Sequence, residues 1–187
     1  MERHVLWQPW TDPGFEHLLL RSDAGEIVAD GVVTRVTPAV RIHYEIRCDP
    51  GYRVRAVSVR SLDPGGRSLR LLADGAGNWR DEAGGVLDAL KDCLDVDISA
   101  TPFTNTLPIR RLELSPGQSA ELAMAYISVL EVSVSMVRQR YTCLELGAGG
   151  GRYRYEGLST GFTAELPVDP DGLVLDYPGV WRRVWPR

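Results

Sequence analysis

The chain has almost no lysine. Lys91 is the only one, so arginine supplies nearly all of the 21 basic residues. The planar guanidinium of arginine suits paired contacts with carboxylates and phosphates better than the flexible ammonium of lysine. The 25 acidic residues leave a net charge of −4, whereas nucleic-acid-binding domains are usually basic. No nucleic-acid partner is therefore predicted.

Cysteine is also scarce. Cys48, Cys93 and Cys143 are odd in number and form no C-x-x-C pair, so neither a zinc site nor a disulfide framework is predicted. Free thiols are typical of the reducing cytoplasm. Residues 1–10 lack an apolar core of signal-peptide length, and no apolar run approaches the roughly 20 residues of a membrane span. We therefore expect a cytoplasmic protein without a transmembrane segment.

Catalytic motifs are missing as well. His4, His17 and His43 lack metal-ligand spacing, and no G-x-S-x-G, H-E-x-x-H or P-loop pattern occurs. The glycine-rich stretch 147–151 precedes a predicted strand rather than a helix, which indicates a flexible turn and not a phosphate-binding loop. No metal, cofactor or catalytic residue is predicted.

What the sequence does contain is alternation of apolar and polar residues. In residues 40–48, Val40, Ile42, Tyr44 and Ile46 fall on one face of a strand and are expected to be buried. The arginine, histidine and glutamate side chains between them fall on the other face, toward water or a polar lumen. This segment is the clearest β-strand of the chain.

Further strands continue to the end of the chain, separated by turns rich in glycine and proline. Residues 40–59 are predicted to form a hairpin, with a bulge between Ala56 and Val57 where the apolar phase slips. Residues 13–20 and 85–92 are predicted to be short helices. The length suits one domain over residues 1–187. The predicted fold is mostly β: a single-domain, antiparallel, highly curved β-barrel or half-barrel with one or two short helices.

Residues 93–114 are the most informative stretch. Two strand-like runs flank a turn-rich centre that is dense in hydroxyls, with an amide and two adjacent arginines. Asp95 and Asp97 would point to the same face of the first run. Arg110 and Arg111 would point to opposite faces of the second run if that run is extended.

Three segments carry a resemblance to a known family: Asp95-Val-Asp97, Thr101-Pro-Phe-Thr-Asn-Thr-Leu-Pro-Ile-Arg-Arg111 and Tyr177-Pro-Gly-Val-Trp-Arg-Arg183. Ala29-Asp-Gly31, Asp74-Gly-Ala-Gly-Asn-Trp79 and Val168-Asp-Pro-Asp-Gly-Leu173 extend it over nearly the whole chain. On these residues the sequence resembles the glycolipid-binding protein family of bacteria. The resemblance implies a many-stranded β-barrel, similar to the half-barrels of envelope lipoprotein carriers, and an amphipathic lipid or glycolipid as partner.

A lipid-binding protein needs an apolar cavity with a few fixed polar groups. A curved antiparallel sheet provides one because alternate side chains line its concave face. The predicted function is therefore non-enzymatic binding of an amphipathic lipid. The side chains predicted to contact it are Asp95, Asp97, Thr104, Asn105, Arg110, Arg111, Tyr155 and Arg182.

Other interpretations of the same residues stay open. The polar groups are also what an architectural network of ion pairs and turn caps would use. The alternative is an uncharacterised enzyme that hydrolyses glycosidic or ester bonds through Asp95, Asp97 and an arginine. A third alternative is an interaction module without a small ligand. The five tryptophans either stack on sugar rings or pack in the core; they are Trp7, Trp10, Trp79, Trp181 and Trp185.

Overall fold

The computed structural model describes residues 1–186. The strands in this range are β1 Glu2–Pro9, β2 Gly14–Ser22, β3 Ile27–Arg35, β4 Val40–Cys48, β5 Val54–Ser61, β6 Ser68–Ala73, β7 Trp79–Asp81, β8 Asp95–Ile98, β9 Ser119–Ser128, β10 Ser133–Gly147, β11 Gly150–Gly157, β12 Phe162–Val168, β13 Asp176–Tyr177 and β14 Trp181–Trp185. One α-helix, α1 Thr106–Leu112, follows a 3-10 turn at Phe103–Asn105, and a second 3-10 turn lies at Asp88–Leu90.

The strands form two open sheets. Nine strands pair antiparallel in the order β13-β14-β1-β2-β3-β4-β5-β6-β7, and five strands pair in the order β12-β11-β10-β9-β8. Only β8 runs parallel to its neighbour, β9. Neither sheet closes on itself. The predicted mostly β fold is confirmed, in the half-barrel form rather than the closed one.

The main core lies between the inner faces of the two sheets. Val40, Ile42, Tyr44 and Ile46 of β4 are all buried, and the charged side chains between them are exposed or half-buried. The burial predicted from alternation is thus confirmed. Val96 and other apolar residues of the five-stranded sheet close the core from the opposite side.

The predicted hairpin also forms. β4 pairs with β5, and the register shifts where Cys48 faces Val54 while Arg47 faces Ala56. Arg55 is therefore the extra residue of a bulge, one position before the predicted slip between Ala56 and Val57.

Gly31 allows a close approach between β3 and β4. A Cβ atom at Gly31 would lie 2.2 Å from two ring carbons of Tyr44. The Tyr44 ring is fully buried, so it has little freedom to move aside. The Ala29-Asp-Gly31 motif therefore has a packing role.

Gly31→Ala is expected to lower the free energy of unfolding by roughly 1–3 kcal/mol, the usual cost of overpacking a core. Urea unfolding of the variant and the parent protein measures the difference. Gly147→Ala is the matched control, because a Cβ there meets nothing within 4 Å. Equal losses in the two variants would show that the Tyr44 contact is not the cause.

Two predicted elements are wrong. Residues 14–20 of the segment predicted to be a helix lie in strand β2, because their alternation of exposed and buried residues matches a sheet. The second half of 93–114 contains helix α1 instead of an extended run. Pro108 lies in the first turn of α1, where the missing N–H costs no intrahelical hydrogen bond, so the proline is compatible with this helix.

Cys48, Cys93 and Cys143 are free and buried, which confirms the prediction of unbridged thiols. Among residues 1–186, no helix has both the length and the apolar character required to cross a membrane.

Candidate functional site

The site begins with the two aspartates of β8. Asp95 and Asp97 share one face of the strand, as predicted, because Val96 and Ile98 between and beyond them pack into the main core. The aspartates therefore point to the opposite face of the five-stranded sheet. The 3-10 turn at Phe103–Asn105 and helix α1 cover part of this face.

Both carboxylate oxygens of Asp95 form an ion pair with the guanidinium of Arg111. Arg111 Nε donates to Oδ1 of Asp95 at 3.0 Å and Nη2 donates to Oδ2 at 2.6 Å. The Asp95 side chain is fully buried and that of Arg111 is 10% exposed. Burial raises the pKa of the Asp95 carboxyl, and the guanidinium opposes that shift. This forked contact fastens α1 to β8 and leaves neither group free for a ligand.

Asp97 has a different environment. Thr104 Oγ1 donates to Oδ1 at 3.1 Å and Gln139 Nε2 donates to Oδ2 at 2.6 Å. Both donors are neutral. Burial raises the pKa of Asp97, and the two hydrogen bonds oppose the shift. Within residues 1–186, no cationic side chain forms a salt bridge with this carboxylate.

Asn105 extends the network beside Asp97. The Tyr141 hydroxyl donates to Oδ1 of Asn105 at 2.8 Å, and the Asn105 amide donates to the Pro102 carbonyl at 3.0 Å. Asn105 and Tyr141 are both buried. Their contacts hold the 3-10 turn against β10.

Asp97 also borders a pocket on the uncovered part of this face. The pocket has two adjoining spaces of about 320 Å³ and about 150 Å³ that share Asp97, Tyr126 and Tyr155. We call both spaces together the tyrosine pocket. Its side-chain walls include Asp97, Thr101, Asn105, Tyr126, Val137, Gln139, Tyr155, Phe162, Tyr177 and Trp181.

Aromatic rings form one wall of the tyrosine pocket. The ring centroids of Tyr155, Phe162 and Tyr177 lie 6.1–6.2 Å apart in a triangle. Burial raises the pKa of Tyr155 and of Tyr177, so both phenols are neutral donors near pH 7. In the part of the chain that the structure describes, the hydroxyls of Tyr126, Tyr155 and Tyr177 have no side-chain or backbone hydrogen-bond partner.

A buried glutamate, Glu16, contacts the pocket residue Thr101. Thr101 Oγ1 donates to Oε1 of Glu16 at 2.6 Å, and the Tyr44 hydroxyl donates to the same oxygen at 2.5 Å. The second oxygen, Oε2, is buried without a partner among the described residues. Burial raises the pKa of Glu16 to about 8, against the effect of the two hydrogen bonds. Glu16 thus connects the pocket loop to the nine-stranded sheet.

The remaining predicted arginines lie elsewhere. Arg110 is exposed on α1, with its guanidinium 5.3 Å from the ring centroid of Tyr52. Arg182 lies 5.6 Å from the ring centroid of Trp10, and neither lines the tyrosine pocket. Of the predicted contact residues, the structure brings Asp97, Asn105 and Tyr155 to the pocket, with Thr104 hydrogen-bonded to Asp97.

The tryptophans divide between core and surface. Trp7, Trp79 and Trp181 are fully buried, whereas Trp10 and Trp185 are exposed. Trp181 both packs in the core and borders the smaller space of the pocket.

Apart from Trp181, the other residues that line the pocket were not predicted from the sequence to contact a ligand. The sequence does contain a sign that Glu16 is buried, because Glu16 lies on the same face of β2 as the apolar residues Leu18 and Leu20. Gln139 similarly shares the phase of Tyr141 in β10. Phe162 begins β12, and nothing in the sequence indicates which neighbour its ring meets.

Two open, curved and mostly antiparallel sheets define this protein as a mostly β fold of the half-barrel type. Residues 4–183 match the family model described as "Putative glycolipid-binding", and the chain belongs to this family. A crystal structure of a DUF1089 family protein from Pseudomonas aeruginosa is similar in fold, with a TM-score of 0.78. That protein is 38% identical in sequence over 90% of this chain and 92% of its own. The comparison with curated proteins gives no match.

Proposed function

We propose that this protein binds the saccharide head group of a lipid in the tyrosine pocket. The observation that carries the proposal is the set of three tyrosine hydroxyls beside the Asp97 carboxylate that have no hydrogen-bond partner within residues 1–186. Sugar rings offer hydroxyls that pair with such groups, and their C–H faces pack on aromatic rings. The family description, which names glycolipids, supports the same class of ligand.

The size of the pocket favours the head group over the whole lipid. Its larger space is about 320 Å³, at the lower end of the roughly 300–1,000 Å³ found for small-molecule sites. Phe162 at its edge is exposed, as is Leu158 in the neighbouring turn. We infer that the acyl chains stay outside the pocket, which replaces the expectation of a lipid enclosed in a barrel.

The enzymatic alternative has less support. The Asp95 carboxylate is paired with Arg111, and both oxygens of Asp97 accept hydrogen bonds. Hydrolysis of a glycosidic bond needs one carboxyl that donates a proton and a second that acts as nucleophile or base. No group of metal-ligating side chains occurs among residues 1–186.

The three free thiols are consistent with the proposed location in the reducing cytoplasm.

Tyr155→Phe and Tyr177→Phe are each expected to weaken binding of monomeric octyl glucoside roughly two- to tenfold, the value of one hydrogen bond. Chemical-shift titration by NMR measures the affinity. Tyr153→Phe is the matched control, because Tyr153 lies on the same strand and face as Tyr155 but lines a different cavity. Loss of affinity only in the control, or no binding by the parent protein to any alkyl glycoside, would contradict the proposal.

A further inference from the structure

The two aspartates of β8 differ in one respect that bears on the ligand. Asp95 has a guanidinium partner, whereas the donors to Asp97 among the described residues are the neutral side chains of Thr104 and Gln139. A carboxylate has about four acceptor positions, so two donors do not saturate it. Burial raises the pKa of the Asp97 carboxyl, and a cation bound beside it would favour the ionised form.

No side chain of the pocket walls supplies the missing positive charge. Arg138 contributes to the rim, but strand alternation sends its side chain to the face opposite Val137 and Gln139. Arg111 is engaged by Asp95. An anionic head group would meet the Asp97 charge without a compensating cation, so the pocket disfavours phosphate and carboxylate groups.

The aromatic wall favours a cation in the same place. Faces of tyrosine and phenylalanine rings attract ammonium groups within about 6 Å, and more strongly where water is excluded. Tyr155 borders both spaces of the pocket together with Asp97, Phe162 borders the larger space and Tyr177 borders the smaller one. A carboxylate together with several aromatic rings is the combination that recognises alkylammonium groups.

We propose that the head group bound in the tyrosine pocket carries a protonated amine, as an amino-sugar glycolipid does. This rests on the proposed function of the same pocket. The amine pairs with Asp97 and lies against the rings of Tyr155 and Tyr177, while the sugar hydroxyls contact the free phenols. Choline and ethanolamine head groups share the ammonium but lack the ring hydroxyls, so they are the competing source.

The test compares two probes that differ in one group: octyl 2-amino-2-deoxyglucoside and octyl glucoside, titrated by NMR at pH 6.5. The amine is expected to bind about tenfold more tightly, equal to about 1.4 kcal/mol. Asp97→Asn should reduce this preference to less than about twofold. Glu121→Gln is the control: it removes one negative charge from the solvent-facing side of β9 and should keep the preference.

Binding measurements on the parent protein test the proposal even if the Asp97→Asn variant does not fold. Tetramethylammonium chloride should displace the amino glycoside from the parent protein, whereas sodium chloride at the same ionic strength should not. Equal affinity for the two glycosides would overturn the amine proposal and leave saccharide binding in place. Binding of glycerophosphocholine without binding of the amino glycoside would also overturn it. Failure of every glycoside to bind would overturn the proposed function itself.

Discussion

Arg111→Ala is expected to lower the free energy of unfolding by about 3–5 kcal/mol, the cost of leaving one member of a buried ion pair without its partner. Asp95 is fully buried beneath the guanidinium. Its carboxyl would have to be protonated or hydrated in the variant. Urea unfolding at pH 7 measures the loss. The pair also attaches α1 to β8, so the Asp97 network would be weakened with it.

Arg110→Ala is the control, because Arg110 is the neighbouring residue on the same helix but is exposed. It stacks on Tyr52 and donates a 3.4 Å hydrogen bond to the Pro170 carbonyl. Its loss should cost no more than about 1 kcal/mol. The double variant Asp95→Leu with Arg111→Met should recover much of the stability, since apolar residues often replace buried ion pairs without loss. Similar effects of the two alanine variants would exclude an architectural role for the pair.

Glu16→Gln is expected to lose less stability than the parent protein between pH 5 and pH 8. The folded-state pKa of Glu16 is about 8, against 4.5 for an unperturbed glutamate. Because the folded pKa is the higher one, the protonated form stabilises the fold below pH 4.5. That contribution declines as pH rises through 8. At 1.36 kcal/mol per pKa unit, the decline is on the order of 4–5 kcal/mol.

The measurement is the free energy of unfolding at several values between pH 5 and pH 8.5. Glutamine keeps an oxygen to accept from Tyr44 and Thr101, so the variant should match the parent near pH 5 and exceed it above pH 7. Glu82→Gln is the control, because Glu82 is exposed in a turn and should follow the parent curve. Parallel curves for the parent and Glu16→Gln would show that Glu16 titrates as an ordinary surface acid.

The sequence predicted those features that depend on neighbouring residues along the chain. The phase of β4 gave the burial of Ile42 and Tyr44, and the common face of Asp95 and Asp97 followed from their spacing. The conformation of residues 106–112 could not be predicted in this way. A short apolar run with a proline fits either a strand or the first turn of a helix, and packing against β8 selects the helix.

The motif residues were recognisable from the sequence, but their roles were not. Asp169 illustrates this: it accepts hydrogen bonds from the backbone N–H groups of Asp171 and Leu173 and from the Arg183 guanidinium. This aspartate therefore organises a turn. Its neighbours in the sequence do not distinguish that role from ligand binding.

By itself the sequence determined the mostly β fold, the free thiols, the family and the face to which the residues of β4 and the two aspartates of β8 point. These follow from a period of two, from spacing and from motifs, which are all local. The tertiary structure decided that Arg111 neutralises Asp95 and not Asp97, and that Tyr126, Tyr155 and Tyr177 meet beside the remaining carboxylate. Such pairings depend on which strands become neighbours and how the sheet curves. Alternation along one strand contains no information about the partner across the fold.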